Sequence, residues 1–142
     1  MYRHILIPTD GSELAEHGVT HGLALAKSVG AKVSVIFVVE PFPEMTGRYL
    51  ETVARFVELR KEQASSALDR ATNAAKEAGV SCGTIQVENA QAHQGIIAAA
   101  EDKGCDLIVM SSHGLSGFSM LLIGSVTSKV LTSAKIPVLL CR

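Results

Sequence analysis

Residues 26–39 read Ala26-Lys-Ser-Val-Gly-Ala-Lys-Val-Ser-Val-Ile-Phe-Val-Val39, and the two halves of that run together point to a fold class. Lys27 followed by Gly30 is a helix stop: a cation near the negative end of the helix, then a residue that enters the left-handed conformation at no steric cost. The next segment, Val33-Ser-Val-Ile-Phe-Val-Val39, is apolar almost throughout rather than alternating, as a strand covered on both faces of a parallel sheet must be. The same stop recurs in Ala75-Lys-Glu-Ala-Gly79 and Ala100-Glu-Asp-Lys-Gly104, each followed within a few residues by a strand-like segment. Working outward, five strands are predicted, at residues 4–8, 32–39, 84–88, 106–110 and 137–141. Between them, Leu14, Ala15, Gly18, Val19, Gly22, Leu23 and Ala26 fall on one helical stripe, as do Leu50, Val53, Val57, Ala64, Ala67, Leu68, Ala71, Ala75 and Ala78. Strand, helix, glycine stop, strand is the rhythm of βαβ units, and right-handed crossovers then give an α/β fold. The expectation is a single doubly wound five-stranded parallel sheet, order 3-2-1-4-5, with helices on both faces and residues 1–142 forming one domain.

Composition narrows the function. The chain has 142 residues, 14 acids against 13 bases and 4% aromatics without Trp. Near-neutral charge and few aromatics disfavour a nucleic-acid partner, which is held by phosphate neutralisation and base stacking. The mean hydropathy of +0.28 raises the membrane question, and residues 107–128 contain no Asp, Glu, Lys or Arg. Seven of those 22 residues are Ser or Thr and three are Gly, whereas a bilayer span needs about 20 mainly apolar residues. No membrane association is expected. The start Met1-Tyr-Arg-His4 leads straight into a strand without an export-type apolar region, so a cytoplasmic location is expected. Cys82, Cys105 and Cys141 lack metal-site spacing and read as reduced, packed thiols.

Ligands of doubly wound sheets sit at the carboxyl ends of the strands. After the first strand comes Pro8-Thr-Asp-Gly-Ser12. Its carboxylate and hydroxyls could hold a metal or polar ligand atoms, or Asp10 or Ser12 could simply cap the helix beginning near Glu13. After the fourth strand, residues 110–128 supply glycines, hydroxyls and the free N–H groups that precede the last helix, a set suited to phosphate oxygens. Ser125 is the predicted N-cap there, with Val126, Val130, Leu131 and Ala134 as the buried stripe. Neither a GxxxxGK[ST] nor a GxGxxG motif is present. His17 and His21, four apart on a helix, lack a recognisable third metal ligand. His113 has no evident nucleophile or orienting carboxylate and reads as positioning or structural. Glu58, Arg60, Lys61, Glu62, Asp69 and Arg70 fit the wet side of the second long helix. The stretch at residues 40–47 reads equally as a flap or an ordinary loop. A phosphoacceptor receiver domain is disfavoured because the third strand ends Val87-Glu-Asn89 with no acceptor Asp.

In order along its length, the chain resembles the universal stress protein family of UspA type. The carriers are Tyr2-Arg-His-Ile-Leu-Ile-Pro-Thr-Asp-Gly-Ser12, Asp106-Leu-Ile-Val-Met110, the Gly-rich loop and Ile136-Pro-Val-Leu-Leu140. The ATP-binding branch is similar to the pattern G-x-x-G, nine residues, G-[ST]. Gly114 and Gly124-Ser125 fit it, while Ser111 replaces the first glycine. The resemblance implies an adenine nucleotide alpha hydrolase-like fold and an adenine nucleotide against Pro8, Thr9, Asp10 and Val38. Ribose and phosphates would lie near Met110, Ser111, Gly114, Gly124, Ser125, Val126 and Thr127, with Asp10 meeting the ribose or, through water, a Mg²⁺ on the phosphates. A Ser side chain at position 111 is expected to crowd a backbone that should approach the ligand closely, unless its φ is compatible and its hydroxyl points away. Because the loop has no Lys or Arg, phosphate would depend on N–H dipoles, hydroxyls and Mg²⁺. The implied function is stress-response sensing of ATP, or of AMP or ADP, by a homodimer paired through residues 137–141, with at most slow hydrolysis. The alternative is a nucleotide-free dimeric interaction module.

Overall fold

In the computed structural model, residues 1–42, 49–112 and 123–142 are described. Nine elements follow one another: β1 (His4–Pro8), α1 (Glu13–Val29), β2 (Lys32–Val39), α2 (Leu50–Ala78), β3 (Cys82–Glu88), α3 (Ala92–Asp102), β4 (Leu107–Ser111), α4 (Ser125–Ser133) and β5 (Val138–Cys141). The strands make one sheet in the order β3-β2-β1-β4-β5, and every pairing is parallel. This is the α/β architecture expected from the strand–helix rhythm.

The apolar strands divide their side chains between two layers with period two. Ile5, Ile7, Val33, Val35, Phe37 and Val109 pack with residues of α1 and α2. Leu6, Ile36, Ile108 and Met110 pack with residues of α3 and α4 on the opposite face. All five residues of β1 are buried, and each large aliphatic side chain among them contributes about 1.5–3 kcal/mol by leaving water. Gly30 and Gly79 cap α1 and α2 at φ 72° and 73°. For α3 the cap is Lys103, and Gly104 takes the left-handed turn one residue later at φ 67°.

Several boundaries differ from expectation. β3 starts at Cys82 rather than residue 84. β4 is shifted by one, because Asp106 turns its carboxylate to the N–H groups of Arg3 and His4 (2.8 and 3.1 Å) instead of joining the strand. Pro137 has no N–H to offer the ladder, although its carbonyl accepts from Ile108 N at 3.0 Å. The stripe on α2 is buried only from Ala64 onward, and Leu50 is 60% exposed. A 29-residue helix is about 43 Å long, whereas the eight residues of β2 span about 26 Å. The first half of α2 therefore overhangs the carboxyl edge of the sheet.

Candidate functional site

The order of the sheet reverses at β1, whose chain leaves toward β2 while β4 lies on its other side. At such a point the connections diverge and open a crevice above the strand ends. A cavity of about 230 Å³ occupies it. Its floor comes from β1 and β4. Thr9 N donates to Ile36 O at 2.9 Å, extending the β1–β2 ladder into the cavity wall. Beyond it the chain turns sharply: Thr9 Oγ1 accepts from Gly11 N (3.1 Å), and Asp10 Oδ1 accepts from Ser12 N (3.0 Å). Gly11 has φ 80°, a left-handed conformation that favours glycine. Ser12 is the N-cap of α1, its Oγ accepting from Ala15 N at 3.1 Å. Ser12 thus caps the helix, and Asp10, which lines the cavity, braces the turn that leads to it.

The opposite wall is the start of α4. Ser112 N donates to Cys141 O (2.9 Å), and Gly124 N donates to Ser112 O (2.7 Å). Thr127 Oγ1 donates to Ser111 O at 3.1 Å. These bonds fix the helix start against β4. The N-cap is Gly124 (φ −60°, ψ 155°) and Ser125 is the first helical residue, a correction to the expected Ser125 cap. Thr127 joins Val130 in the buried set of α4, while Leu131 is 40% exposed. An α-helix gives its first N–H groups no carbonyl of its own, and its dipole makes that end attractive to anions. Gly124, Ser125, Val126 and Thr127 line the cavity at this end. On the far side of the sheet, α1 comes close to β4 because Gly18 has no side chain. A Cβ added there would lie 3.0 Å from Ser111 N.

Pro8, Thr9, Asp10, Val38, Met110, Ser111, Gly124, Ser125, Val126 and Thr127 all line this one cavity. Gly114, His113 and most of the Gly-rich loop lie outside the described residues, as do residues 43–47 of the expected flap. Ser111 ends β4, and no described residue other than glycine has a positive φ. Its φ is therefore one that a serine adopts without strain.

Sequence reasoning missed Ala15, Ile36, Glu40, Arg60, Ala92 and Ile96, which complete the lining. Ile36 sits in the apolar run 33–39, read only as a strand covered on both faces, and Ile96 was not singled out. Arg60 carried no signal: assigned to the wet side of α2, it reaches the cavity because that helix overhangs the sheet. Arg70, on the same helix, bonds Glu16 and Ser66 instead and so ties α2 to α1. The three cysteines are free and line no part of the cavity. Burial, with Asp106 adding to it, pushes the Cys105 thiol up to about 11, which keeps it protonated and unreactive at neutral pH. Among the described residues no group of three His, Cys, Asp or Glu could hold a metal ion, and no helix is long and apolar enough to cross a membrane.

The universal stress protein family matches the chain over residues 1–142. A universal stress protein of Methanocaldococcus jannaschii is 36% identical over 143 residues, covering 100% of this chain and 83% of its own. Among solved structures, the universal stress protein UspA from Lactobacillus plantarum superposes with a TM-score of 0.87 at 23% identity, covering 99% of this chain and 98% of its own. A universal stress protein in complex with cAMP superposes with a TM-score of 0.72 at 24% identity, covering 99% and 97%. At those identities the two structures speak for the fold.

Proposed function

The chain belongs to the universal stress protein family, and from that premise we propose that the cavity binds an adenine nucleotide, ATP foremost with ADP or AMP as lesser ligands, in a sensing role. The observation that carries this is the convergence of ten of the eleven residues that the resemblance implies, from three strands, one turn and one helix start, on one cavity at the switch point. A neighbour of the same fold has been captured with cAMP, which is in keeping with the ligand class.

The chemistry follows from the walls. Val38 and Ile96 offer an apolar slot for a base, Asp10 an acceptor for ribose hydroxyls, and the α4 start N–H and hydroxyl donors for phosphate. At about 230 Å³ the cavity is smaller than the roughly 300–1,000 Å³ usual for small-molecule sites, so the phosphates would reach toward solvent. Mg²⁺ is bound by few carboxylates and keeps several waters. The residues present suit an ion that arrives on the phosphates, with Asp10 meeting it through water, and its charge would offset the phosphate charge that the loop does not. Sensing is the role proposed, with Asp10 serving both the turn, where its Oδ1 accepts from Ser12 N, and the cavity that it lines. The dimer is proposed to pair through residues 137–141: β5 bonds β4 on one side only and Leu139 is 38% exposed.

Calorimetric titration with ATP, ADP and AMP, with and without Mg²⁺, tests the reading. The expected result is saturable binding, tightest for ATP with Mg²⁺. Absence of heat at about 1 mM nucleotide, a free energy weaker than roughly 4 kcal/mol, would leave the interaction-module reading in its place.

A further inference from the structure

The cavity holds a cation that its own loop does not supply. Residues 107–128 contain no Lys or Arg, and Arg60 is the one Lys or Arg lining the cavity among the described residues. Its guanidinium carbon stands 5.4 Å from the centroid of the Phe37 ring, inside the roughly 6 Å range of cation–π attraction. Phe37 is fully buried, and its Cε2 would lie 3.7 Å from a Cβ placed on Gly11, so the ring is a rigid seat beside the β1 turn. One turn of α2 onward, Gln63 Oε1 accepts from Arg60 Nη1 at 3.1 Å and fixes the guanidinium fork from its other end.

The position of that seat determines what Arg60 can touch. Phe37 belongs to β2 and the start of α4 to the end of β4, with β1 between them. Strands spaced by about 4.8 Å put β2 and β4 about 10 Å apart, the scale of a nucleotide from base to phosphates. Glu40, which follows β2, also lines the cavity, and its carboxylate disfavours phosphate there, while the α4 dipole favours it at the other end. We propose that Arg60 is a specificity-determining residue at the base end, its guanidinium plane held on Phe37 and stacked on the purine ring. Planar guanidinium groups stack on bases, and a lysine ammonium does not replace them. The inference rests on the nucleotide reading above and adds the residue that selects the base.

The test compares ATP with CTP, which share the triphosphate and differ in the base, on wild type, Arg60→Ala and Arg60→Lys, all as full chains. Arg60→Ala is expected to weaken ATP binding by roughly 5- to 30-fold and to leave CTP binding within about twofold, so that the preference for ATP collapses. Arg60→Lys is expected to behave like Arg60→Ala. Equal losses for both nucleotides, rescue by Arg60→Lys, unchanged ATP binding by Arg60→Ala or a wild type without preference for ATP each overturn the proposal while leaving nucleotide binding intact. A wild type that binds neither nucleotide removes the nucleotide reading and the proposal with it.

Discussion

Asp10 and Ser12 stand two residues apart and divide two jobs that a sequence reading leaves open between them. Ser12 Oγ accepts from Ala15 N, as a helix N-cap does, while Asp10 Oδ1 accepts from Ser12 N. Replacing an N-cap serine by alanine costs about 1 kcal/mol, so Ser12→Ala should lower the urea midpoint and leave ATP affinity within a few-fold. Asp10→Asn keeps an amide oxygen for Ser12 N and removes the charge that faces the cavity. Its stability should stay within about 0.5 kcal/mol, and its ATP affinity should fall roughly 10- to 100-fold, the loss of one hydrogen bond to a charged group. Equilibrium unfolding and calorimetry on both variants separate the roles. The opposite ordering, with Asp10→Asn the less stable and Ser12→Ala the weaker binder, would make Asp10 a structural residue.

At the scale of elements, α1 lies close on β1 and β4 because Gly18 and Gly22, four apart, present backbone to the sheet. A Cβ on Gly22 would lie 2.4 Å from Ile7 Cδ1 and 3.0 Å from its Cγ1, and Ile7 is fully buried. Alanine gains about 1 kcal/mol of helix propensity over glycine, but overpacking a sealed core costs about 1–3 kcal/mol, so the clash wins. Gly22→Ala should destabilise by about 1 kcal/mol, and Ile7→Val, which deletes the clashing Cδ1, should relieve it. The double variant is expected to be more stable than the two single losses predict, measured as a coupling free energy in urea. Such contacts explain which elements were legible beforehand. Strand and helix identities followed from period and glycine stops, both local signals. The end of the α2 stripe was not legible, because Leu50, Val53 and Val57 look like a continuation of Ala64 until the sheet beneath them ends.

Across the whole molecule, the two edges of the sheet do different work, and the distinction also accounts for what the sequence could reveal of the site. The carboxyl edge collects residues that adjoin strand ends, so Thr9, Asp10 and Ser111 could be found from strand boundaries, whereas Val38 came only with the family resemblance. Arg60 could not, since only the relative lengths of α2 and β2 bring it there. Within the charge-free stretch at residues 107–128, the described residues include β4 at one end and the start of α4 at the other. The amino edge holds a different polar cluster. His4 is buried, with Nε2 2.8 Å from Ser34 Oγ and Nδ1 3.2 Å from Lys103 O. A carbonyl oxygen only accepts, so Nδ1 carries the proton, and Nε2 accepts from the Ser34 hydroxyl. Burial pushes the His4 pKa below its usual 6.5, and Lys32 and Lys103 act in the same direction against the Lys103 carbonyl and Asp106. Burial opposes ionisation of Asp106 as well, but the N–H groups of Arg3 and His4 outweigh it and hold that carboxyl below its ordinary range. For His4 the unfolded chain binds a proton more readily, so this contribution is full above about pH 6.5 and declines as pH falls toward the lowered folded value. For Asp106 the contribution is present above its unfolded pKa of 3.8 and is lost as pH falls through the folded value. Both signs favour neutral pH, in separate windows. Unfolding midpoints in urea should therefore drop between about pH 7.5 and pH 5, and His4→Gln should flatten that drop while leaving the acid-side loss in place. Because the cluster sits at the opposite edge from the cavity, ATP affinity of His4→Gln should match wild type at neutral pH. A variant whose midpoint still falls as steeply between those pH values would assign the proton uptake to another group.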